Sequence, residues 1–177
     1  MQPRRFPRIC VTQDRPWLRY RGMLSVMSTR DEEIYRSCAG ELTRYATGLV
    51  GPFDAPDVVT DAFLKASGSS RWDQVDNHRA YLYRTVLTVA MDHHRSSRAR
   101  RAREQRAAVP AVAHQPEIDY EILDVVERLS VKQRAAVMLT YWSDLPADEV
   151  GRLMGVSEGT VKRHLDRARK RLKEWLS

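Results

Sequence analysis

A basic amphipathic helix that follows a tight turn is the feature that most limits the possible folds of this chain. Residues 155–172, GVSEGTVKRHLDRARKRL, begin with Gly-Val-Ser, and no glycine or proline follows Gly159. Val161, Leu165, Ala168 and Leu172 recur at helical spacing, so one face of this helix is predicted to pack on a protein core. The other face carries basic side chains: Lys162, Arg163, Arg167, Lys170 and Arg171. That face could meet solvent, a partner protein or a nucleic acid groove.

Three shorter helices are predicted just before it, over residues 118–129, 130–142 and 144–155. Ser157 is suited to cap the basic helix, and Glu158 lies where the positive end of the helix dipole favours an acid. A short helix, a tight turn and a basic helix make up the sequence pattern of a helix-turn-helix. We therefore predict that the basic face contacts duplex DNA.

The second helix of such a motif enters the major groove, where Arg or Lys pairs with guanine and a carboxylate accepts from cytosine. Side chains near the groove end are expected to face base edges: Glu158, Lys162, Arg163 and Asp166. Side chains further along are expected to meet phosphates: Arg167, Lys170 and Arg171. Phosphate contacts add affinity and salt dependence without sequence information.

The first half of the chain is also predicted to be helical, because no β-type alternation bounded by turns appears in it. One helix starts from a Thr29 N-cap, a second covers residues 57–66, and a third covers 78–103. A polar loop with a single tryptophan, Trp72, connects the second and third. The aromatic and basic residues at the start of the third helix suit opened DNA, but the residues alone favour a core role for Tyr81 and Leu82, with the arginines in solvent.

The excess of 30 Lys and Arg over 23 Asp and Glu gives a net charge of +7, which favours a polyanionic partner. The basic residues are concentrated in residues 1–28, 93–107 and 162–173, so the body between them is acidic. We interpret residues 1–28 as a flexible basic tail, with translation starting either at Met1 or within it. Residues 103–119 are rich in Ala and Pro and predict a flexible linker, which is placed at residues 97–118.

The sequence offers no catalytic or metal site. Two cysteines, Cys10 and Cys38, give neither a disulfide framework nor a zinc site. The adjacent His93 and His94 point to different faces of a helix and so cannot easily share a metal ion. No glycine-rich phosphate loop or nucleophile motif occurs. We expect no catalytic residues, no metal, no cofactor and no small-molecule substrate.

No apolar run approaches the roughly 18 residues of a membrane span, and no apolar stretch follows the basic N-terminus as in a signal peptide. We therefore expect a cytoplasmic protein.

Three blocks of the sequence, in this order and spacing, resemble bacterial sigma factors of the extracytoplasmic-function type. DAPDVVTDAFLKA (54–66) resembles the helix of the family that docks on the clamp helices of the RNA polymerase β′ subunit. RAYLYRTVLTVAMDHHR (79–95) resembles the helix that melts the promoter and recognises its −10 element. Residues 129–172 resemble the domain that recognises the −35 element, along nearly its full length.

The resemblance implies an all-α fold of two small domains, the second a four-helix domain with the helix-turn-helix. Residues 29–96 would form sigma region 2, 97–118 the linker, and 119–177 sigma region 4. The implied function is promoter-specific initiation of transcription. The implied partners are core RNA polymerase (its β′ clamp helices and its β subunit), promoter DNA and an anti-sigma protein, which could hold the chain at the membrane.

The resemblance also implies roles for individual residues. Those facing the polymerase clamp would be Asp57, Val58, Asp61 and Phe63. Those at the −10 element, including the loop that captures a flipped-out base, would be Trp72, Asp76, Asn77, His78, Arg84, Thr88, Asp92 and Arg95. Those at the −35 element, from the groove argument and the resemblance together, are Glu158, Thr160, Lys162, Arg163, Asp166, Arg167 and Lys170.

Two positions depart from the family pattern, since Thr88 stands where an asparagine is usual and His94 where an apolar residue is usual. One alternative class remains, a stand-alone regulator of the response-regulator type, in which a similar C-terminal domain occurs. Its N-terminal half would be an α/β receiver with buried strands.

Overall fold

The computed structural model describes residues 28–107, 126 and 128–175, and within residues 98–107 it describes the backbone alone. The described residues form helices and turns, and no strand occurs among them. The all-α prediction is therefore confirmed. Residues 1–27 of the predicted tail, residues 108–118 of the predicted linker, and nearly all of the helix predicted over 118–129 lie outside the described residues.

Helices α1 to α3 form the N-terminal unit. They are α1 (Thr29–Val50), α2 (Ala55–Ser67), and α3 (His78–Ala107), with a 3₁₀ turn at Trp72–Gln74 before α3. The N-cap of α1 is Ser28 and not the predicted Thr29, because the Ser28 hydroxyl accepts a hydrogen bond from the Asp31 amide at 3.2 Å. The apolar stripes of the three helices meet in one core, whose largest fully buried members are Leu42, Leu49, Val59, Phe63, Leu82 and Val86.

Helix α3 runs to Ala107, four residues beyond the end predicted at residue 103. Residues 97–107, which were assigned to the linker, continue the helix. Alanine and arginine dominate this stretch and both favour helix, and no proline occurs between Pro56 and Pro110. The basic run after His93 is thus an extension of the same helix that begins at His78.

Helices α4 to α6 form the C-terminal unit. They are α4 (Val131–Val137), which runs into a π-helical turn (Met138–Trp142), α5 (Ala147–Met154), and α6 (Glu158–Trp175). Helix α4 starts at the predicted cap, where Ser130 and Gln133 satisfy each other's backbone amides in a capping box. Helix α6 packs across α4 and α5.

The two units contact each other directly. Helices α1 and α3 of the first lie against α4, α5 and the π-helical turn of the second, and their buried apolar residues form one continuous cluster. The face of α3 on which promoter-contacting residues were predicted is therefore close to the helix-turn-helix.

Candidate nucleic-acid interface

The turn between α5 and α6 has the close geometry of a helix-turn-helix. Helix α5 ends at Met154 and is capped by Gly155, whose φ of 68° lies in the left-handed region that favours glycine. The Val156 amide donates to the Gly151 carbonyl at 2.9 Å, which closes the turn. Ser157 then caps α6 as predicted, since its hydroxyl accepts from the Thr160 amide at 3.3 Å. These bonds fix the angle at which α6 leaves α5.

One face of α6 is buried and the other is exposed, as the spacing predicted. Val161, Leu165 and Ala168 are buried, and Val161 and Leu165 share one apolar cluster with Leu139 of the π-helical turn and Val150 of α5. Because this stripe anchors the helix, its polar side is held outward as a rigid surface. The predicted −35 residues on this side are exposed, apart from the half-buried Thr160: Glu158, Lys162, Arg163, Asp166, Arg167 and Lys170.

Several of these side chains are already held in place. Lys162 Nζ lies 2.6 Å from a Glu158 carboxylate oxygen, and this hydrogen bond and charge raise the pKa of Lys162 above its usual value. The Arg163 guanidinium donates to the Thr160 hydroxyl at 3.0 Å. The base-facing end of α6 therefore presents its groups in a partly fixed arrangement.

Arg169 belongs to this surface but sequence reasoning missed it. Its guanidinium donates to the Tyr141 hydroxyl at 3.0 Å and to a carboxylate oxygen of Asp166 at 3.2 Å. Both contacts raise the pKa of Arg169, the Tyr141 hydrogen bond most. Its place three residues after Asp166 was a signal for the ion pair, but the contact with Tyr141 comes from another helix and has no local sequence signal.

The predicted −10 residues of α3 form a line. Arg84, Thr88, Asp92 and Arg95 recur at intervals of four, four and three, and all are exposed. The Thr88 hydroxyl donates to the Arg84 carbonyl at 2.9 Å, and an Asp92 oxygen lies 3.6 Å from an Arg95 guanidinium nitrogen. The structure thus brings these four predicted side chains together on one helix face.

The loop before α3 is organised around Trp72, which is 3% exposed. Its indole N–H donates to Asp31 at 2.7 Å, and its ring lies edge-on to His78 with centroids 4.4 Å apart. The Asn77 side chain caps α3 by accepting from the Ala80 amide at 2.8 Å. Of the predicted loop residues, Asp76 and Asn77 are exposed. Trp72 is buried in the core and anchors the loop to it.

The predicted polymerase-facing set divides in the same way. Asp57 and Asp61 are exposed on α2, but Val58 and Phe63 are 2% and 0% exposed. Phe63 packs edge-on against Tyr35 with ring centroids 4.9 Å apart, so it stabilises the unit and cannot meet a partner directly. The outer face of α2 instead includes Leu64, 47% exposed, which the sequence analysis missed.

Among the described residues, no group of three or more His, Cys, Asp or Glu side chains is placed to hold a metal ion. Within the same residues, no helix combines the length and the apolar character needed to cross a membrane.

Two helical units, a helix-turn-helix with an exposed basic face and a second polar helix face nearby define a DNA-binding protein. Residues 34–100 match the family model for Sigma-70 region 2, and residues 120–172 match that for Sigma-70, region 4. The RNA polymerase sigma-E factor of Streptomyces coelicolor is 34% identical over 152 residues, which cover 82% of this chain and 85% of that protein. The sigma-E factor of Streptomyces avermitilis is 31% identical over 152 residues, with 82% and 84% covered.

Solved structures show the same fold. The sigma factor RpoE of Bartonella quintana, solved in complex with the anti-sigma factor NepR, matches with a TM-score of 0.63 at 23% identity and covers 84% of this chain and 98% of its own. CnrH, solved in complex with the cytosolic domain of CnrY, matches with a TM-score of 0.58 at 22% identity, covering 86% and 90%.

The chain belongs to the sigma-70 family of RNA polymerase sigma factors, in its extracytoplasmic-function group, and it directs promoter-specific initiation of transcription. The alternative of a response-regulator type of protein is not favoured. Its N-terminal half would be an α/β receiver, whereas residues 28–107 are helices and turns and match sigma region 2.

Proposed function

We propose that the chain joins core RNA polymerase, recognises a −35 element as duplex DNA through α6, and helps to open a −10 element through residues 72–95. The observation that carries the proposal is the polar face of α6, held outward by its buried stripe. It acts as a binding and positioning subunit and catalyses no reaction of its own.

At the −35 element, the first turns of α6 enter the major groove. Arg163, which donates to the Thr160 hydroxyl, would pair with guanine O6 and N7, and such a bidentate pair contributes roughly 1–3 kcal/mol of discrimination. Asp166 is available to accept from cytosine N4. Arg167 and Lys170 lie further along the helix and contact phosphates, which bring affinity and a dependence on salt.

At the −10 element, the line from Arg84 to Arg95 on α3 follows the backbone of the opened strand. The loop at Asp76, Asn77 and His78 captures one base that has left the stack. Extraction of a base costs a few kcal/mol, which a fitted pocket offsets. Trp72 contributes by fixing this loop from the core, since its ring is buried and its indole is bound to Asp31.

The polymerase contact is the outer face of α2. Asp57 and Asp61 give this face an acidic edge, and the exposed Leu64 adds an apolar contact. A mixed acidic and apolar helix face of this kind suits the β′ clamp helices, while region 4 contacts the β subunit. Two weak DNA contacts gain affinity once the polymerase fixes the distance between them.

An anti-sigma protein is the proposed negative regulator, since one of the matching structures is a complex of the sigma factor RpoE with the anti-sigma factor NepR. The chain acts in the cytoplasm, and an anti-sigma partner anchored in the membrane would hold it there until release.

The test is transcription from a pool of random upstream sequences by bacterial core RNA polymerase, with and without this protein, followed by sequencing of the start sites. We expect transcripts that need the protein and share two elements about two helical turns apart. Absence of such transcripts, together with tight duplex binding by the protein alone, would refute the proposal.

A further inference from the structure

A cavity of about 440 Å³ lies where the far part of α3 meets the start of α4 and the middle of α6. No Asp or Glu side chain of the described residues lines this cavity. Basic and imidazole side chains reach it from all three helices: His94 and Arg95 of α3, Lys132 of α4, and His164 and Arg167 of α6. The cavity therefore has a positive electrostatic potential.

Two of these cations lack an acidic partner. Neither Lys132 nor Arg167 forms an ion pair with another described residue, and Asp166, next to Arg167 in the sequence, is engaged with a different arginine of α6. Arg95 pairs with Asp92 of its own helix at 3.6 Å, and Asp92 does not line the cavity. Like charges that face one cavity repel one another, and an anion bound among them would remove this repulsion.

The two histidines add polar groups that respond to the same charges. His164 is half-buried, and its pKa lies below the usual value, first because of burial and then because of the charge of Lys132, followed by the charges of two arginines of α6, Arg167 and Arg163. A neutral imidazole still donates one N–H to an anion. His94, which departs from the family pattern, lines the α3 side of the cavity. The histidines can therefore contribute hydrogen bonds between the fixed cations.

The size of the cavity and the rigidity of one wall indicate the class of anion. A volume of about 440 Å³ falls in the range of roughly 300–1,000 Å³ that is typical of small-molecule sites. One phosphate group fills only a small part of it, whereas a chain of phosphates can reach cations on all three helices. The wall at the start of α4 is fixed, because the Gln133 side chain accepts from the Ser130 amide at 3.0 Å. Lys and Arg bind phosphate oxygens through charge-assisted hydrogen bonds.

We propose that this cavity is a binding site for a small polyphosphate anion, either inorganic or the phosphate chain of a nucleotide. Lys132 and Arg167 are its main contacts, and the remaining basic and imidazole side chains of the lining surround them. Binding of the anion does not depend on the promoter role of the chain. One consequence does rest on the proposed function: Arg95 and Arg167 are also assigned to DNA, so the anion and promoter DNA compete for them.

Binding is tested by isothermal titration calorimetry of the full chain with sodium tripolyphosphate, at about 0.15 M salt to screen distant charges. We expect saturable one-to-one binding. ATP and adenosine are the comparison ligands. ATP that binds more tightly than tripolyphosphate assigns the site to nucleotides, and ATP that binds more weakly assigns it to the inorganic chain. No saturable binding of either, or adenosine binding as tightly as ATP, would overturn the proposal.

A lysine variant and a matched control distinguish the cavity from general attraction to a basic protein. Lys132 is exposed, so Lys132→Gln removes a contact without burying a polar group. It should weaken tripolyphosphate binding about tenfold, the loss expected for one hydrogen bond between charged groups. Lys65→Gln makes the same change of charge at an exposed position of α2 outside the cavity, and its effect should stay below about twofold. Equal affinities in the two variants would mean an adventitious ion only.

The imidazole of His164 gives a readout within the cavity. A bound anion offsets the charges of Lys132 and Arg167, so tripolyphosphate should raise the pKa of His164 in an NMR titration of the histidine ring protons. His78 lies in the loop before α3, outside the cavity, and serves as the internal control. Saturable binding that leaves the pKa of His164 unchanged, or that shifts both histidines equally, would place the anion elsewhere and overturn the site.

Competition with DNA is measured separately, with a fluorescent single-stranded 20-mer pool of random sequence bound to the full chain. Tripolyphosphate should displace this pool from the wild type, and about tenfold more should be needed with Lys132→Gln, because the variant binds the anion more weakly. If the anion binds in the calorimeter but displaces no DNA, the site stands and the assignment of Arg95 and Arg167 to DNA fails. The two proposals are thus refuted by different results.

Discussion

The close approach of α5 to the turn before α6 predicts that Gly151 cannot be replaced even by alanine. Gly151 is buried, and a Cβ there would lie 2.7 Å from the Val156 carbonyl oxygen and 3.4 Å from the Glu158 amide nitrogen. Contacts below 3.0 Å are essentially never seen for real Cβ atoms. The obstructing atoms are backbone, so the turn itself has to move and take the start of α6 with it.

The expected change in the free energy of unfolding of Gly151→Ala is the sum of two opposing contributions. Alanine in place of glycine within a helix contributes about 1 kcal/mol of helix propensity. Forcing a methyl group into a packed contact costs about 1–3 kcal/mol, and a backbone obstacle places Gly151→Ala in the upper part of that range. The net expectation is a loss of about 1–2 kcal/mol in the free energy of unfolding. Gly159→Ala, where a Cβ meets nothing within 4 Å, should instead gain about 0.5 kcal/mol.

The assay is thermal unfolding of the full chain followed by circular dichroism at the helix band. The difference of about 2 kcal/mol between the two variants corresponds to about 4–8 °C in melting temperature for a chain of this size. Gly151→Ala should also weaken binding to the −35 duplex, since α6 is re-aimed. If Gly151→Ala melts at or above the wild-type temperature, the close packing of α5 on the turn is not what limits this position.

Further predictions concern the DNA surface, the core and pH. Arg163→Ala should relax the base preference at one −35 position, whereas Lys170→Ala should weaken binding to all sequences alike and reduce the slope of log affinity against log salt concentration by about 1. Selection from a duplex pool at several salt concentrations measures both effects. An equal change of base preference in the two variants would refute the assignment of Arg163 to bases and Lys170 to phosphates. Trp72→Phe should lower the free energy of unfolding by about 1–3 kcal/mol in denaturant titration, because it removes the indole hydrogen bond at a buried site. Burial, and then the charge of Lys132, lower the pKa of His164, so stability is full above its unfolded pKa of about 6.5 and falls as the pH drops below that value. His164→Gln should flatten the melting temperature between about pH 7 and pH 5, and an unchanged slope would assign the pH dependence elsewhere.

The sequence predicted α6 well because one helix carried both signals, an apolar stripe at Val161, Leu165 and Ala168 and a basic opposite face. These three residues are buried, while Leu172, the fourth predicted member of the stripe, is half-buried. The caps at Ser130 and Ser157 were also predictable, since capping depends on residues only three apart.

The contact residues of α2 and of the loop before α3 were harder to predict. A buried core position and an apolar partner contact both require an apolar side chain, so the sequence does not distinguish them. Val58, Phe63 and Trp72 were therefore predicted to contact partners, whereas they are buried in the core beneath those surfaces. The contact of Gly48 with Met138 joins positions ninety residues apart and depends on the absence of a side chain. No local pattern marks such a contact.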